Sequence, residues 1–186
     1  MRITRVETVR TGNIPRWVWV RVHTDSGIIG LGESTGVSTP TEAHIRTELA
    51  PYLIGKDPRR VAHHWQAIYR HAFYRGGPVL TSALSGIDQA LWDIKGKALN
   101  QSVSSLLGGY RKRVPTYASG ALMRAMNLVQ LSEIGSSLAA KGFKQMKSPI
   151  VAEDTPAKEV LRMKTRRESV GDDIDMTCDR NQGGNG

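Results

Sequence analysis

The sequence predicts an α+β domain followed by only the opening units of an α/β domain. Three patterns predict this: strand-like runs in the first third, amphipathic helices in the middle, and a strand, helix and strand near the end. A chain of 186 residues has room for one domain of about 100 to 200 residues and a remainder. We place the first domain at 1–108 and the second segment at 109–186.

The first third is typical of an antiparallel strand meander. Isoleucine and valine recur over 3–9, and the run 17–24 is rich in β-branched and aromatic residues. A turn signal at 25–27 then leads to a third strand over 28–33, whose two glycines indicate close packing. These runs predict a three-stranded antiparallel sheet.

The middle of the chain is predicted to be helical. Helices are predicted over 42–53, 59–74 and 79–99, separated by glycine and proline breakers, with one further turn over 104–107. The longest has apolar residues at spacings of three and four, as in a helix that buries one face: Leu80, Leu84, Ile87, Leu91 and Ile94.

The second segment alternates strands with helices. Strands are predicted over 114–119, 143–148 and 174–178, and helices over 125–140 and 156–169. This order predicts a parallel βαβ unit with a right-handed crossover. Because a parallel layer needs several strands and helices on both faces, two or three strands make only an incomplete α/β layer.

Composition excludes several classes of protein. No apolar run approaches the roughly 18 residues of a membrane span, and the N-terminus lacks a signal-peptide pattern. The only cysteine, Cys178, cannot form an internal disulfide. We therefore expect a cytoplasmic protein with no membrane partner.

The formal net charge of +9 raises the question of an anionic partner. Most of the surplus lies in the helical segment 56–113, where basic residues are scattered and form no continuous arm. A solvated or oligomer-facing helix surface is therefore favoured over nucleic-acid binding. The five histidines form no metal-ligand pattern, and we expect them at the surface or partly packed.

Two polar residues lie where strands of the second segment end. Lys147 is near the end of the strand 143–148, and Asp179 follows the strand 174–178. In an α/β barrel, working residues lie at the carboxyl ends of strands. A carboxylate there can hold Mg²⁺, and a lysine can polarise a carboxylate substrate or move a proton. From spacing alone, a solvated loop carboxylate and a surface lysine are the favoured interpretations.

Three motifs stand out in the first domain: Tyr52-Leu53-Ile54-Gly55-Lys56-Asp57-Pro58, Phe73-Tyr74-Arg75-Gly76-Gly77-Pro78, and the twelve residues from Gly86 to Lys97. Together they resemble the capping domain of the mandelate racemase and muconate lactonizing group of the enolase superfamily. Within that group, the sequence is most similar to acid-sugar dehydratases of the galactonate dehydratase type.

The resemblance implies a fold and a chemistry. The fold is an α+β capping domain on a modified (β/α) barrel, which makes 109–186 an incomplete (β/α) barrel start and places the cap loops 12–17 and 34–39 near the site. In the implied reaction, a base removes the proton next to the carboxylate of a sugar-acid substrate, Mg²⁺ stabilises the enediolate, and water is lost. The implied partner is a second copy, in a homo-oligomer, or a full-length relative.

The same resemblance assigns site residues. Asp179 matches the first metal-binding carboxylate, and Lys147 matches the first lysine of a Lys-x-Lys pair. The second lysine falls on Pro149, which has no ionisable group, and Asn181 stands where some dehydratases have a histidine.

Family members have about twice as many residues, and their remaining metal ligands lie in the other half of the barrel. We therefore expect this chain alone to be a catalytically incompetent fragment of a Mg²⁺-dependent lyase. The alternative is a noncatalytic oligomerisation or regulatory module derived from the cap, and a basic nucleic-acid binder is the less favoured third reading.

Overall fold

The computed structural model describes residues 1–10, 12, 17–71, 73–119, 122, 125–150 and 153–179. The chain divides into two compact units, Met1–Tyr110 and Arg111–Gly186. Each unit has its own cluster of buried apolar side chains, so each is held by a separate hydrophobic core.

The first unit contains a three-stranded antiparallel sheet, as predicted. Its strands are β1 (Ile3–Val9), β2 (Val18–Thr24) and β3 (Ile29–Ser34), in the order β1-β2-β3. Buried and partly exposed residues alternate along the whole of β2, which is the period of a sheet with one face on the core. Gly27, with φ of 80°, forms the turn between β2 and β3.

The helices of the first unit follow the sheet. They are α1 (Ser38–His44), a π-helical stretch (Ile45–Leu49), α2 (Ala50–Leu53), α3 (Val61–His71), α4 (Gly77–Leu99) and α5 (Val103–Leu106). The predicted helix 42–53 therefore begins earlier, at Ser38. The predicted helix 59–74 is shorter, because the Asp57 side chain accepts the Arg59 N–H at 3.0 Å and holds a turn before the first helical residue, Val61.

The long helix α4 lies very close to β3. Gly30 and Gly32 face it, and a Cβ atom at either position would overlap main-chain carbonyl oxygens of α4. Gly86 matches them from the helix side, because a Cβ there would overlap Ser34 and Val20. Helix and strand backbones thus pack with no side chain between them at these points.

Side chains of α4 also hydrogen-bond the outer edge of β3. Gln89, Asp93 and Lys97 recur every four residues and so lie along one side of the helix. They bind main-chain groups of Glu33, Leu31 and Ile29 at donor–acceptor distances of 3.1, 2.8 and 2.7 Å. Four outward main-chain groups of the edge strand, the N–H groups of Leu31 and Glu33 and the carbonyls of Ile29 and Glu33, are therefore paired within the unit.

The second unit is built of α6 (Leu128–Ala140), β4 (Gln145–Pro149), α7 (Pro156–Val170) and β5 (Asp175–Asp179). Strands β4 and β5 are parallel and flank α7 in sequence, as the predicted βαβ unit requires. The strand predicted over 114–119 is wrong: within that segment only Ala118 pairs, as an isolated bridge to Met146. Pro115 contributes no N–H to a ladder, and most of the segment is exposed.

Adding a methyl group between β3 and α4 should destabilise the first unit. We expect Gly32→Ala to lower the free energy of unfolding by about 1–3 kcal/mol, because the backbones must separate. All four tryptophans lie in this unit, so their fluorescence in urea reports its unfolding. Gly12→Ala is the control, since no atom of the described residues lies within 4 Å of the added atom there. Equal effects of the two substitutions would contradict the packing argument.

Removing one edge contact should expose one main-chain group. We expect Asp93→Ala to accelerate hydrogen exchange at the Leu31 amide about tenfold, because its acceptor is lost. Gln89→Ala should instead act first on the Glu33 amide. Uniformly faster hydrogen exchange across β3 in both variants would contradict the assignment of each edge amide to its own side-chain acceptor.

Candidate functional site

The two residues selected from the sequence lie side by side in the second unit. Lys147 is on β4 and Asp179 ends β5, and the parallel register pairs Lys147 with Thr177 and Pro149 with Asp179. Both side chains therefore project from the same face, Lys147 from the middle of β4 and Asp179 from the carboxyl end of β5. Lys147 Nζ lies 2.8 Å from Asp179 Oδ2, and the two side chains are 29% and 27% exposed.

The pairing fixes the protonation state of the lysine. The hydrogen bond to Asp179, and then the Coulombic attraction of that carboxylate, raise the pKa of Lys147 despite an opposing effect of desolvation. A lysine held in its charged form donates hydrogen bonds and stabilises negative charge, but it does not accept a proton near neutral pH.

Buried arginines of α7 support the end of β4. Arg166 is fully buried and its Nη1 donates to the Pro149 carbonyl at 3.1 Å. Arg162, 3% exposed, donates to the Met126 carbonyl at 2.6 Å and to Glu153 at 3.0 Å. Burial lowers the pKa of the Arg166 guanidinium, followed by repulsion from Arg162. These arginines anchor the main chain around the candidate site without reaching its exposed face.

The burial of these two arginines was not predicted from the sequence. A helix was predicted over 156–169, and Arg162, Arg166 and Val170 form the buried face of α7 at a spacing of four residues. That spacing, ending on an apolar residue, was the available signal for an inward-facing stripe.

The described donor set does not by itself fit a Mg²⁺ ion. Within residues 1–179, leaving out the positions that the structure does not describe, no three His, Cys, Asp or Glu side chains are grouped to hold a metal. Asp179 is one carboxylate with an ammonium group on one of its oxygens, whereas Mg²⁺ takes near-octahedral oxygen coordination. Asn181, where some dehydratases have a histidine, lies outside the described residues.

In the first unit, the cap segment 34–39 is held by the end of β1. Arg10 donates to the hydroxyls of Thr39 and Ser38 at 3.2 Å each and lies 3.6 Å from Glu42. The Thr8 hydroxyl donates to Glu42 at 2.8 Å. Of the other predicted cap loop, 12–17, the structure describes Gly12 and Trp17, and the remaining four positions lie outside the described residues.

One histidine departs from its predicted environment. His64 is 1% exposed, not surface or partly packed. Its Nε2–H donates to the Asp57 carbonyl at 2.8 Å, which leaves Nδ1 to accept from the Tyr52 hydroxyl at 3.1 Å. Burial lowers the pKa of His64, so the ring is neutral and structural.

Several cations of the basic segment 56–113 are occupied within the unit. Arg59 and Lys97 pair with Asp57 and Asp93 at 2.7 Å each. Lys56 and Lys95 lie over the rings of Tyr52 and Trp92 at 3.9 and 5.0 Å. Across the part of the chain that the structure describes, no helix has the length and apolar character to cross a membrane.

The cap-like first unit, followed by a parallel βαβ unit with polar residues at its strand ends, defines the class of the protein. The profile of the mandelate racemase / muconate lactonizing enzyme N-terminal domain matches residues 4–108. The chain belongs to this family, within the enolase superfamily.

Named relatives make the comparison more particular. The chain is 52% identical to a D-galactonate dehydratase of Ralstonia nicotianae over 63% of its own length and 31% of the relative. It is 42% identical to the D-galactonate dehydratase of Xanthomonas campestris pv. campestris, strain B100, over 96% of its own length and 48% of the relative. The chain thus spans at most about half of these curated relatives.

Solved structures agree with the fold. An enolase of the mandelate racemase subgroup from Agrobacterium tumefaciens superimposes with a TM-score of 0.78 and 31% identity, over 96% of this chain and 50% of that one. A member of the enolase superfamily from Polaromonas sp. JS666 gives 0.80 and 32%, over 97% and 52%. Their names support an enolase-superfamily architecture for both units.

Removing the Asp179 charge should lower the pKa of Lys147 towards its ordinary value. We expect Asp179→Asn to do this in an NMR titration of the lysine ammonium groups, because the hydrogen bond and the attraction are both weakened. Asp154→Asn is the matched control. Asp154 raises the pKa of Lys158 on α7 in the same way, so this substitution should lower the pKa of Lys158 and leave that of Lys147 unchanged. A Lys147 pKa that is unchanged in Asp179→Asn would contradict the pairing.

The raised pKa of Lys147 determines how the stability of the second unit depends on pH. The Lys147–Asp179 pair stabilises the folded unit fully at pH values below about 10.4, the pKa of a lysine in the unfolded chain. This stabilisation is lost as the pH rises through the higher pKa of Lys147 in the folded chain.

Proposed function

We propose that this chain provides the cap and the first part of the barrel of an acid-sugar dehydratase, with Mg²⁺ as its cofactor. The observation that carries the proposal is the Lys147–Asp179 pair, with its 2.8 Å contact, on one face of two parallel strands in an enolase-superfamily chain, where Asp179 ends its strand. Relatives named D-galactonate dehydratase support the reaction class and a sugar acid as substrate.

In this proposal the two residues have different roles. Asp179 supplies one oxygen ligand of the several that the cation needs. Lys147, kept protonated by Asp179, is an electrostatic group: its N–H groups orient Asp179 and are available to a carboxylate oxygen of the substrate. Neither residue is the base that removes the proton next to that carboxylate.

We assign the reaction to the complete enzyme and not to this chain alone. A proton acceptor is missing at position 149, because proline has no ionisable group, and Lys147 is held charged. Further carboxylates and a base must therefore come from other residues. A second copy, or a longer relative, is the partner we expect.

The purified chain provides the first test. Incubated with Mg²⁺ and either D-galactonate or D-gluconate, it should release no 2-keto-3-deoxy acid above the rate without protein. Product formation that depends on Mg²⁺ would refute the inference that the chain alone is incompetent.

A chimera provides the positive test. Residues 1–186 would be joined to the remaining part of the Xanthomonas D-galactonate dehydratase, with Asn181→His to restore a candidate base. We expect Mg²⁺-dependent dehydration of D-galactonate by this chimera. Asp179→Asn in the same background should lower kcat/KM by about 100-fold or more, because a cation ligand is lost.

Asp175 offers the matched control for that substitution. It lies at the opposite, amino end of β5 and is exposed, so Asp175→Asn should leave kcat/KM nearly unchanged. Equal losses in the two variants, or a chimera that works as well without the Asp179 carboxylate, would overturn the role given to Asp179.

A further inference from the structure

Asp88 differs from the other residues of the motif from Gly86 to Lys97 on α4, whose contacts within the first unit are known. Its glycines allow close approach of other chain segments, and its apolar residues lie in the core. Gln89, Asp93 and Lys97 bind the edge of β3, and Lys95 lies over the ring of Trp92. Asp88 takes part in none of these interactions.

The carboxylate of Asp88 has no partner among the residues that the structure describes. Among the described residues, none donates a hydrogen bond to its carboxylate or forms an ion pair with it. Burial is the one influence on it, and this raises the pKa of Asp88. The nearby cation Lys97 is already bound to Asp93 and to the Ile29 carbonyl, both at 2.7 Å.

The surroundings of Asp88 form an open groove on the first unit. Its apolar walls come from β3, α4, α5 and the residue after α5: Leu31, Trp92, Val103 and Leu107. Leu31 is 49% exposed and Leu107 is 64% exposed, so apolar surface continues outward from the carboxylate. A partly desolvated carboxylate without a cation is unfavourable, and an incoming cation would offset that cost.

We propose that this groove binds a lysine or arginine side chain carried on an apolar segment of another polypeptide. The carboxylate of Asp88 selects a cation by charge complementarity. The exposed leucines that line the same groove favour a polypeptide over a small organic cation, because a small cation would leave them uncovered. This interaction surface is on the first unit and is independent of the Lys147–Asp179 pair.

The test uses the whole 186-residue chain and two peptides of the same shape. The probe is acetyl-Leu-Arg-Leu-amide, and its control has citrulline, which is uncharged, in place of arginine. In ¹H–¹⁵N correlation spectra, the arginine peptide should give saturable shifts of the Trp92 indole N–H and the Asp88 amide. The citrulline peptide should bind about tenfold more weakly, since it lacks the charge-assisted hydrogen bond.

Two variants identify the carboxylate responsible. Asp88→Asn should reduce binding of the arginine peptide to the level of the citrulline peptide while retaining the circular dichroism spectrum. Glu48→Gln, which removes one exposed carboxylate of the same unit outside the groove, should leave the affinity unchanged.

Four results would overturn the proposal. They are equal binding of the two peptides, an unchanged affinity in Asp88→Asn, shifts confined to residues away from the groove, and butylguanidinium binding as tightly as the arginine peptide. The last would assign the groove to a small organic cation instead of a polypeptide.

Discussion

The close approach of α4 and β3 is the constraint on which the first unit depends. Glycines at positions 30, 32 and 86 remove the side chains that would separate the two backbones. Once the helix is that near, Gln89, Asp93 and Lys97 are within hydrogen-bonding distance of the strand edge. Core packing and edge protection therefore have one cause, and neither is kept if the helix moves outward.

The second unit is arranged around a different constraint, a buried positive charge. Arg166 holds the carbonyl of Pro149 from behind the sheet, while Lys147 and Asp179 meet in front of it. The strand end is thus fixed from its covered side and remains accessible on the other. A proline at that end is compatible with this support, since Arg166 needs only its carbonyl oxygen.

Much of this arrangement follows from local sequence patterns. The three-stranded sheet was predicted from β-branched runs and a glycine turn, and it is confirmed. Lys147 was selected because it lies near the end of a predicted strand, and Asp179 because it follows one. The parallel register brings the two together, although their roles stay predictions. The strand predicted over 114–119 was wrong because Pro115 has no N–H to give to a ladder, and only Ala118 pairs, as a bridge to Met146.

Residues whose setting is decided by tertiary contacts could not be predicted in this way. His64 is buried because Tyr52 and the Asp57 carbonyl satisfy both ring nitrogens, and nothing in the sequence around it indicates those partners. For Arg166, the four-residue spacing along α7 indicates an inward-facing position, but it does not indicate that a carbonyl 17 residues earlier accepts from its Nη1. Polar residues on an inward face become predictable only when their hydrogen-bond partners are known.

The contacts that cover the edge of β3 also set an order of events during synthesis. They join residues 56, 62 and 68 positions apart, so the sheet is complete well before its covering helix exists. At a synthesis rate of about 5 to 20 residues per second, roughly 3 to 14 s pass between the synthesis of a β3 residue and that of its partner on α4. During that time the nascent chain presents an open strand edge, and crowded ribosomes or chaperones would meet it before α4 does.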